Sequence, residues 1–543
     1  MNPLISWPIP APTLASPAAT RPLPHFSTLL TSLLVLGTGL TDYLFYHESA
    51  GLNVLIYMVF LVGAHLALLP RHAPVRRRVA FWVVVAGCLL SGGLVAWYGS
   101  AAALWAAGAS GLLLVGLVQQ PTLRLLAYAA GTAVLGVAPA LRAVLARLRA
   151  APPQRLGAGL RRGWFYGRLL GLPLLGLVVF QGLFALANPR YAALSGQAWA
   201  ALTDGLWRLL AAVSLPHLLF LAGCGLLTAG ALVVVPVHRL ADHEGRFGEF
   251  VRRRRDGVAS LAVRRPDFRL HNRRLTDLRK EWLAAVATLG LLNALLLLVN
   301  LVDIRWLWFG FQPAPGFDLT QFVHEGTYVL IFSILLAAGV MLWFFRRNLN
   351  FYQPGLRLLR WGATLWTLQN AVLAASVGLR NYYYIFYTGL AYKRIGVYAF
   401  LLLTLFGLAT LLLKIWRRRS AFSLVQLNSW AAYAVLLALA AGNWEIWIAE
   451  YNLQPRFATL DIGFLLRMPN RVLPVLAARA DLLTAGPALT AENDYGVYET
   501  LPRAEAQARL RERLAAFRRE YQQNDDWQSR TGAEWRAWRE LRQ

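Results

Sequence analysis

The chain has 543 residues, 57% of them hydrophobic, and a mean hydropathy of +0.45. That composition excludes a string of soluble domains and describes a polypeptide mostly dissolved in lipid, in which length is taken up by membrane spans. A net charge of +27, from 54 Lys and Arg against 27 Asp and Glu, would suggest nucleic acid in a soluble protein; in a membrane protein it reads first as an orientation signal and a contact for anionic lipid, so no nucleic-acid partner is expected.

Residues 1–25 hold seven prolines, carry no basic cluster and do not look like a cleavable signal, which predicts a short disordered cytoplasmic tail. Apolar runs near the ~20 residues a spanning helix needs then follow one another. They are Ser27 to Phe45, Gly51 to Leu69, Val79 to Trp97, Ala101 to Val118, Leu123 to Ala138, Leu169 to Ala187, Leu209 to Val235, Trp282 to Val302, Phe322 to Phe345, Trp361 to Leu379, Gly389 to Leu413 and Phe422 to Ala441. Arg71 with Arg76 to Arg78, Arg346 and Arg347 with Arg357 and Arg360, and Lys414 with Arg417 to Arg419 mark loops that belong in the cytoplasm. One stretch conflicts: three full crossings between Val79 and Ala138 would put the Arg-rich residues 142–168 outside. Discounting Leu123 to Ala138, which carries Gly131, Gly136 and Pro139, removes the conflict. The expected fold is all-α: a polytopic bundle of about eleven spans (ten to twelve), N-terminus cytoplasmic and C-terminus extracytoplasmic, with a small helical extramembrane C-terminal region.

The domain reading is a tail at 1–25, an N-terminal transmembrane region at 26–235, a basic cytoplasmic loop at 236–281, a C-terminal transmembrane region at 282–442 and a helical extracytoplasmic region at 443–543. In the loop, Arg252 to Arg255 form the strongest charge run. Interleaved acids from Asp242 to Asp277 suggest a folded helical hairpin, and anionic lipid is the expected partner of the arginines. In the C-terminal region Leu510, Leu514, Phe517 and Tyr521 make one apolar helical face, with Glu505 four residues before Arg509. Trp535 to Arg539 suggest a further short amphipathic helix. Cys88 and Cys224 lie inside apolar runs and read as packing residues.

Residues 318–419 hold the polar groups least expected in lipid. Gln321, His324, Glu325 and Tyr328 recur on one helical face, and a His and a Glu cost a few kcal/mol each if they face lipid. They are no metal signature, because HExxH needs a second His where Tyr328 stands. Gln369, Ser376 and Arg380 form a second stripe, followed by the aromatic run Tyr382 to Tyr387, expected at the membrane interface. Lys393 and Arg394 open the next span, with Tyr387, Ala391, Arg394 and Tyr398 expected on its inner face. Together with Asp42 on the first span and Asp303 after Asn293 and Asn300, these residues predict one polar cavity at the outer face: Asp42, Asp303, His324, Glu325, Gln369, Arg380, Lys393 and Arg394. Structural ion pairing and interhelical hydrogen bonding explain the same residues with less assumption.

Phe322-Val323-His324-Glu325-Gly326, Tyr387-Thr388-Gly389-Leu390-Ala391-Tyr392-Lys393-Arg394 and the later Tyr451-Asn452 with Asp461 resemble a bacterial polytopic inner-membrane family known only as a domain of unknown function. The resemblance covers Trp282 to about Leu482; the first half matches in its pattern of spans and in Gly51-Leu52-Asn53. It implies architecture and an inner-membrane location, and it supplies no catalytic residues.

No phosphate-binding glycine loop, CxxC pair, HExxH or nucleophile elbow is present, so no cofactor or metal is expected. Three readings remain: a transporter or lipid-translocating protein, a membrane enzyme acting on a lipid-linked substrate, and a non-catalytic envelope or sensor component. The first two expect an anionic or lipid-linked ligand.

Overall fold

The computed structural model describes residues 27–150, 214–235, 237–251, 278–309, 311, 319–345, 348–457, 459–492, 498–523 and 526–542, with scattered positions between 169 and 195. The N-terminal tail, the Arg252 to Arg255 run and nine of the nineteen residues of the expected span Leu169 to Ala187 lie outside these residues, as does most of the expected hairpin in the basic loop.

The chain divides into two compact units, Met1–Asp42 with Leu135–Pro236, and Tyr43–Val134 with Val237–Gln543. In the first, helix α1 (Thr28–Phe45) runs antiparallel to α6 (Leu215–Leu232). Leu34 packs by Ala229 and Val233, Thr38 meets Gly225, and Asp42 meets His217 near the start of α6. Small residues on both sides let the backbones approach.

The second unit holds α2 (Leu52–Leu68), α3 (Val79–Tyr98), α4 (Ala101–Gln119), α7 (His238–Gly245), α8 (Leu278–Asp303), α9 (Leu319–Phe344), α10 (Leu356–Thr388), α11 (Tyr392–Arg417) and α12 (Ala421–Ala441). It also holds the first turns of α5 (Leu126–Ala150), which crosses the boundary between the units. Local chemistry sets the ends of these helices. Ser100 and Ser420 cap α4 and α12 by accepting from the N–H groups of Ala103 and Ser423, and Gly99 ends α3 at φ +60°.

Two sets of loops gather at opposite ends of this bundle. At one end Arg78 donates to the Pro121 and Leu123 carbonyls, Arg124 pairs with Glu244 and Glu249, Val251 donates to the Arg418 carbonyl, and Arg418 stacks on Phe351. At the other end the chain after α12 docks. Ser529 bonds Glu48 at 2.5 Å, the Asn53 N–H donates to the Gln528 carbonyl at 3.0 Å, Thr531 packs on Gly99, and Asn452 grips Leu390.

Eight helices among the described residues are long and apolar enough to cross a membrane: α1, α3, α4, α5 to Arg147, α6, Arg279–Trp308, α11 and α12. This corrects the expected count of about eleven. Helix α2 is apolar but short at 17 residues, and α9 contributes the similarly short stretch Val329–Phe344. Helix α10, at 33 residues, is too polar to count, because Gln369, Asn370, Arg380 and Asn381 sit on it. Conversely, α5 has the length the sequence reading denied it. Pro139 lies inside a continuous helix, which an apolar environment tolerates when neighbours satisfy the freed carbonyl.

The all-α expectation holds for the bundle, but the C-terminal extension is not purely helical. Its strands β1 (Thr459–Asp461), β2 (Ala488–Glu492) and β3 (Tyr498–Thr500) form a sheet in that order, β1 parallel to β2 and β2 antiparallel to β3. Around it pack α13 (Trp444–Asn452), α14 (Ile462–Leu466), α15 (Leu473–Ala478), α16 (Arg503–Gln523) and α17 (Gly532–Arg542). The predicted face of α16 is inward: Leu510 and Phe517 are buried, with Leu514 and Tyr521 packed against the same core. Glu505 and Arg509 pair at 2.5 Å, and Trp538 of α17 stacks on Tyr521. Cys88 and Cys224 are free and buried, as packing residues should be.

Candidate functional site

Helices α8 and α10 run parallel, and polar residues repeat along their contact at heptad spacing, two turns apart, which keeps them on one seam. Asn293 donates to the Gly362 carbonyl at 3.1 Å and accepts from Gln369 Nε2 at 2.8 Å. Seven residues on, Asn300 donates to the Gln369 carbonyl at 3.0 Å. Arg380 Nη2 then meets Asp303 Oδ1 at 2.6 Å, with both side chains largely buried. Beyond it Trp308, in the π-helical turn Ile304–Trp308, donates to the Ser376 hydroxyl at 3.0 Å.

The seam is over-supplied with acceptors. Asn300 Oδ1, Asp303 Oδ2 and Gln369 Oε1 are buried without a hydrogen-bond partner among the described residues. Interhelical hydrogen bonds in membranes contribute about 0.6 kcal/mol each, whereas a buried unpaired acceptor costs about 1–3 kcal/mol. As structural adhesive the seam gains little.

The other predicted residues are placed as follows. Arg394 stacks on the Tyr384 ring with its guanidinium carbon 4.1 Å from the centroid, donates to the Gly389 carbonyl, and has its own carbonyl bound by Asn381. Lys393 is exposed on the same turn. The side chains of His324 and Glu325, in the first turns of α9, lie outside the described residues. Asp42 belongs to the first unit, where both its oxygens lie 3.0 Å from His217 Nε2. Of the eight, then, Asp303, Gln369 and Arg380 share the α8–α10 seam, and Arg394 with Lys393 begins the next helix.

Several sequence readings change. Helix α10 runs on through the aromatic run to Thr388, so Tyr382 to Tyr387 share one helix with Gln369 and Arg380, and Tyr387 is not on the same helix as Arg394 and Tyr398. Lys414, expected with Arg417 to Arg419 in a cytoplasmic loop, lies inside α11, fully buried, and donates to the Phe345 carbonyl at 2.8 Å, serving the end of α9. His217, Trp308, Asn381 and Tyr384 were not singled out as partners; for Trp308 the sequence signal was its seven-residue-periodic partner Ser376.

The motif residues themselves have a mechanical role. Gly389 sits at φ +90° between α10 and α11, and a Cβ there would lie 2.6 Å from Asn452 Oδ1. That room lets the Asn452 amide accept from the Leu390 N–H at 2.6 Å and donate to its carbonyl at 2.9 Å, as a strand partner would. The Tyr-Thr-Gly-Leu and Tyr-Asn motifs are thus two halves of one clasp between bundle and extension.

Spans, buried seam and docked extension define a multi-pass integral membrane protein. Residues 79–478 match the family described as Domain of unknown function (DUF4153), and the chain belongs to that family. The match begins some two hundred residues before the Trp282 at which the sequence resemblance starts. No curated protein and no solved structure matches the chain.

Proposed function

We propose that the chain is a transporter or lipid-translocating protein whose working path includes the α8–α10 seam. One observation carries this reading: the row Asn300, Asp303 and Gln369, each with a buried acceptor unpaired among the described residues, runs along a helix pair that also packs through Leu289, Leu296, Ala363 and Leu373. Such a row suits protons, a cation or ordered water passing between buried sites. The π-helical turn at Ile304–Trp308 supports it, since such turns recur at functional positions. His324, Glu325, Lys393 and Arg394 form the outer mouth in this proposal, with the arginines selecting an anionic ligand.

The test is reconstitution into vesicles. Asn300→Leu removes one unpaired acceptor and should abolish flux of protons or of a fluorescent anionic lipid while leaving heat resistance equal or raised. Lowered heat resistance with unchanged flux would assign the seam to structure.

The proposed orientation puts the end bearing Arg71, Arg78, Arg124 and Arg418 in the cytoplasm and the extension outside, because basic loops are retained on the cytoplasmic side of the inner membrane. Single cysteines in a Cys88→Ala/Cys224→Ala background check it. Glu512→Cys should label from outside in intact cells and Arg71→Cys only after permeabilisation; the reverse pattern overturns the assignment.

A second reading, a membrane enzyme acting on a lipid-linked substrate, draws on a groove of about 440 Å³ between the ends of α2 and α3 and the extension. Trp97, Trp527, Trp535 and Tyr521 line it with Arg530 and Thr531, a set suited to a sugar face beside a phosphate.

A further inference from the structure

At the basic end of the bundle, a groove of about 610 Å³ opens between the start of α5, the segment after α7 and the α11–α12 turn. Its floor is aromatic: Phe247 stacks parallel to Phe422 with centroids 6.0 Å apart, and Phe250 is 55% exposed beside them. Its wall continues down α12 through Val425, 48% exposed, on the span that is least covered by protein among those counted, at 11%. The groove therefore opens sideways onto the surface that meets lipid tails.

The charges around it do not balance. Arg124 is held by both nearby acids, Glu244 at 3.4 Å and Glu249 at 3.3 Å, and lies over the Phe422 ring at 4.9 Å. Those carboxylates are thereby spent. Arg246 lines the groove, exposed and without an ion pair among the described residues. Arg419 stands on the Phe250 ring at 5.8 Å and donates to the Ser423 hydroxyl at 3.0 Å, again with no acid partner among the described residues. Two uncompensated guanidiniums thus border an apolar trough at the depth where a span leaves the hydrocarbon, and the positive end of α12 adds in the same sense.

We infer that this groove binds one anionic glycerophospholipid of the surrounding membrane, its phosphodiester on Arg246 and Arg419 and an acyl chain along Phe422 and Val425. The apolar floor and the sideways opening choose a lipid over free phosphate, and the charge excess chooses an anionic headgroup over a zwitterionic one. This places lipid recognition beside Val251, at the root of the tetra-arginine run, on a built surface. It does not depend on the transport reading.

The experiment uses the full chain in detergent, with native mass spectrometry counting retained phosphatidylglycerol against phosphatidylcholine. The wild type should hold one phosphatidylglycerol selectively, and Arg246→Gln should weaken its retention about fivefold, as loss of one basic contact near a membrane surface implies. Excess inorganic phosphate or glycerol phosphate should not displace it. Val425→Trp fills the trough without touching charge and should release the same lipid; it decides the matter should Arg246→Gln fold poorly. Equal retention of the two lipids by the wild type, unchanged retention in both variants, or displacement by inorganic phosphate at matched concentration would each overturn the assignment.

Discussion

Arg471→Met and Glu445→Leu are each expected to destabilise the protein by about 3–5 kcal/mol, because each breaks a buried ion pair. Glu445 opens α13 and Arg471 lies in the turn before α15; their side chains are 7% and 3% exposed and approach to 2.5 Å. The approach angle is not that of a hydrogen bond, so Glu445 Oε2 and Arg471 Nε and Nη2 have no hydrogen-bond partner among the described residues. Attraction between opposite charges in a dry site is then the main tie, helped by the Tyr98 ring 5.9 Å from the guanidinium. Nearby, burial pushes the Glu534 carboxyl up from its ordinary value while Arg471 pulls it down, so the arginine serves two acids.

The double variant Arg471→Met/Glu445→Leu removes both buried charges and should recover most of the loss in heat unfolding. A double variant no more stable than either single change would show that the pair is not held by charge.

How much of this was legible in the sequence depends on the kind of signal. Apolar runs of spanning length placed α1, α3, α4, α6, α8, α11 and α12 well, because burial in lipid needs little beyond length and hydropathy. Helix α10 was under-read: its stop was put at Leu379, yet Asn381 and Tyr384 are buried on the same continuous helix because neighbouring helices, not lipid, surround that face. Helix α5 failed in the opposite direction, since glycine and proline that would break a soluble helix do not break this one. The stripes Asn293, Asn300, Asp303 and Gln369, Ser376, Arg380 were both visible by periodicity, but nothing local says that they face each other. Register between two helices is a long-range property, and a short parallel pair such as β1 with β2, 29 residues apart, is hidden for the same reason. Lys414 was misread because a lysine next to Arg417 to Arg419 has the composition of a topogenic cluster. Only packing reveals that its ammonium caps α9.

The ion pair in the seam gives the other large effect. Asp303→Leu or Arg380→Leu alone is expected to cost about 3–5 kcal/mol, since each breaks an ion pair whose two side chains are largely buried between α8 and α10. Asp303→Leu/Arg380→Leu removes both charges and fills the space with apolar volume, so its heat resistance should return to within about 1 kcal/mol of the parent. Yield of monodisperse protein after extraction should follow the same order, low for each single variant and near normal for the double. The double variant also separates structure from work. A pair that only holds helices together is dispensable once replaced by leucines, and flux in vesicles then recovers with stability. If the carboxylate and guanidinium belong to the path, the double variant is well folded and silent, because Asn300 and Gln369 still line the seam but nothing at its end can change charge or bind an anion. A double variant no more stable than either single change would mean that Asp303 and Arg380 are not coupled, and the seam would lose its anchor.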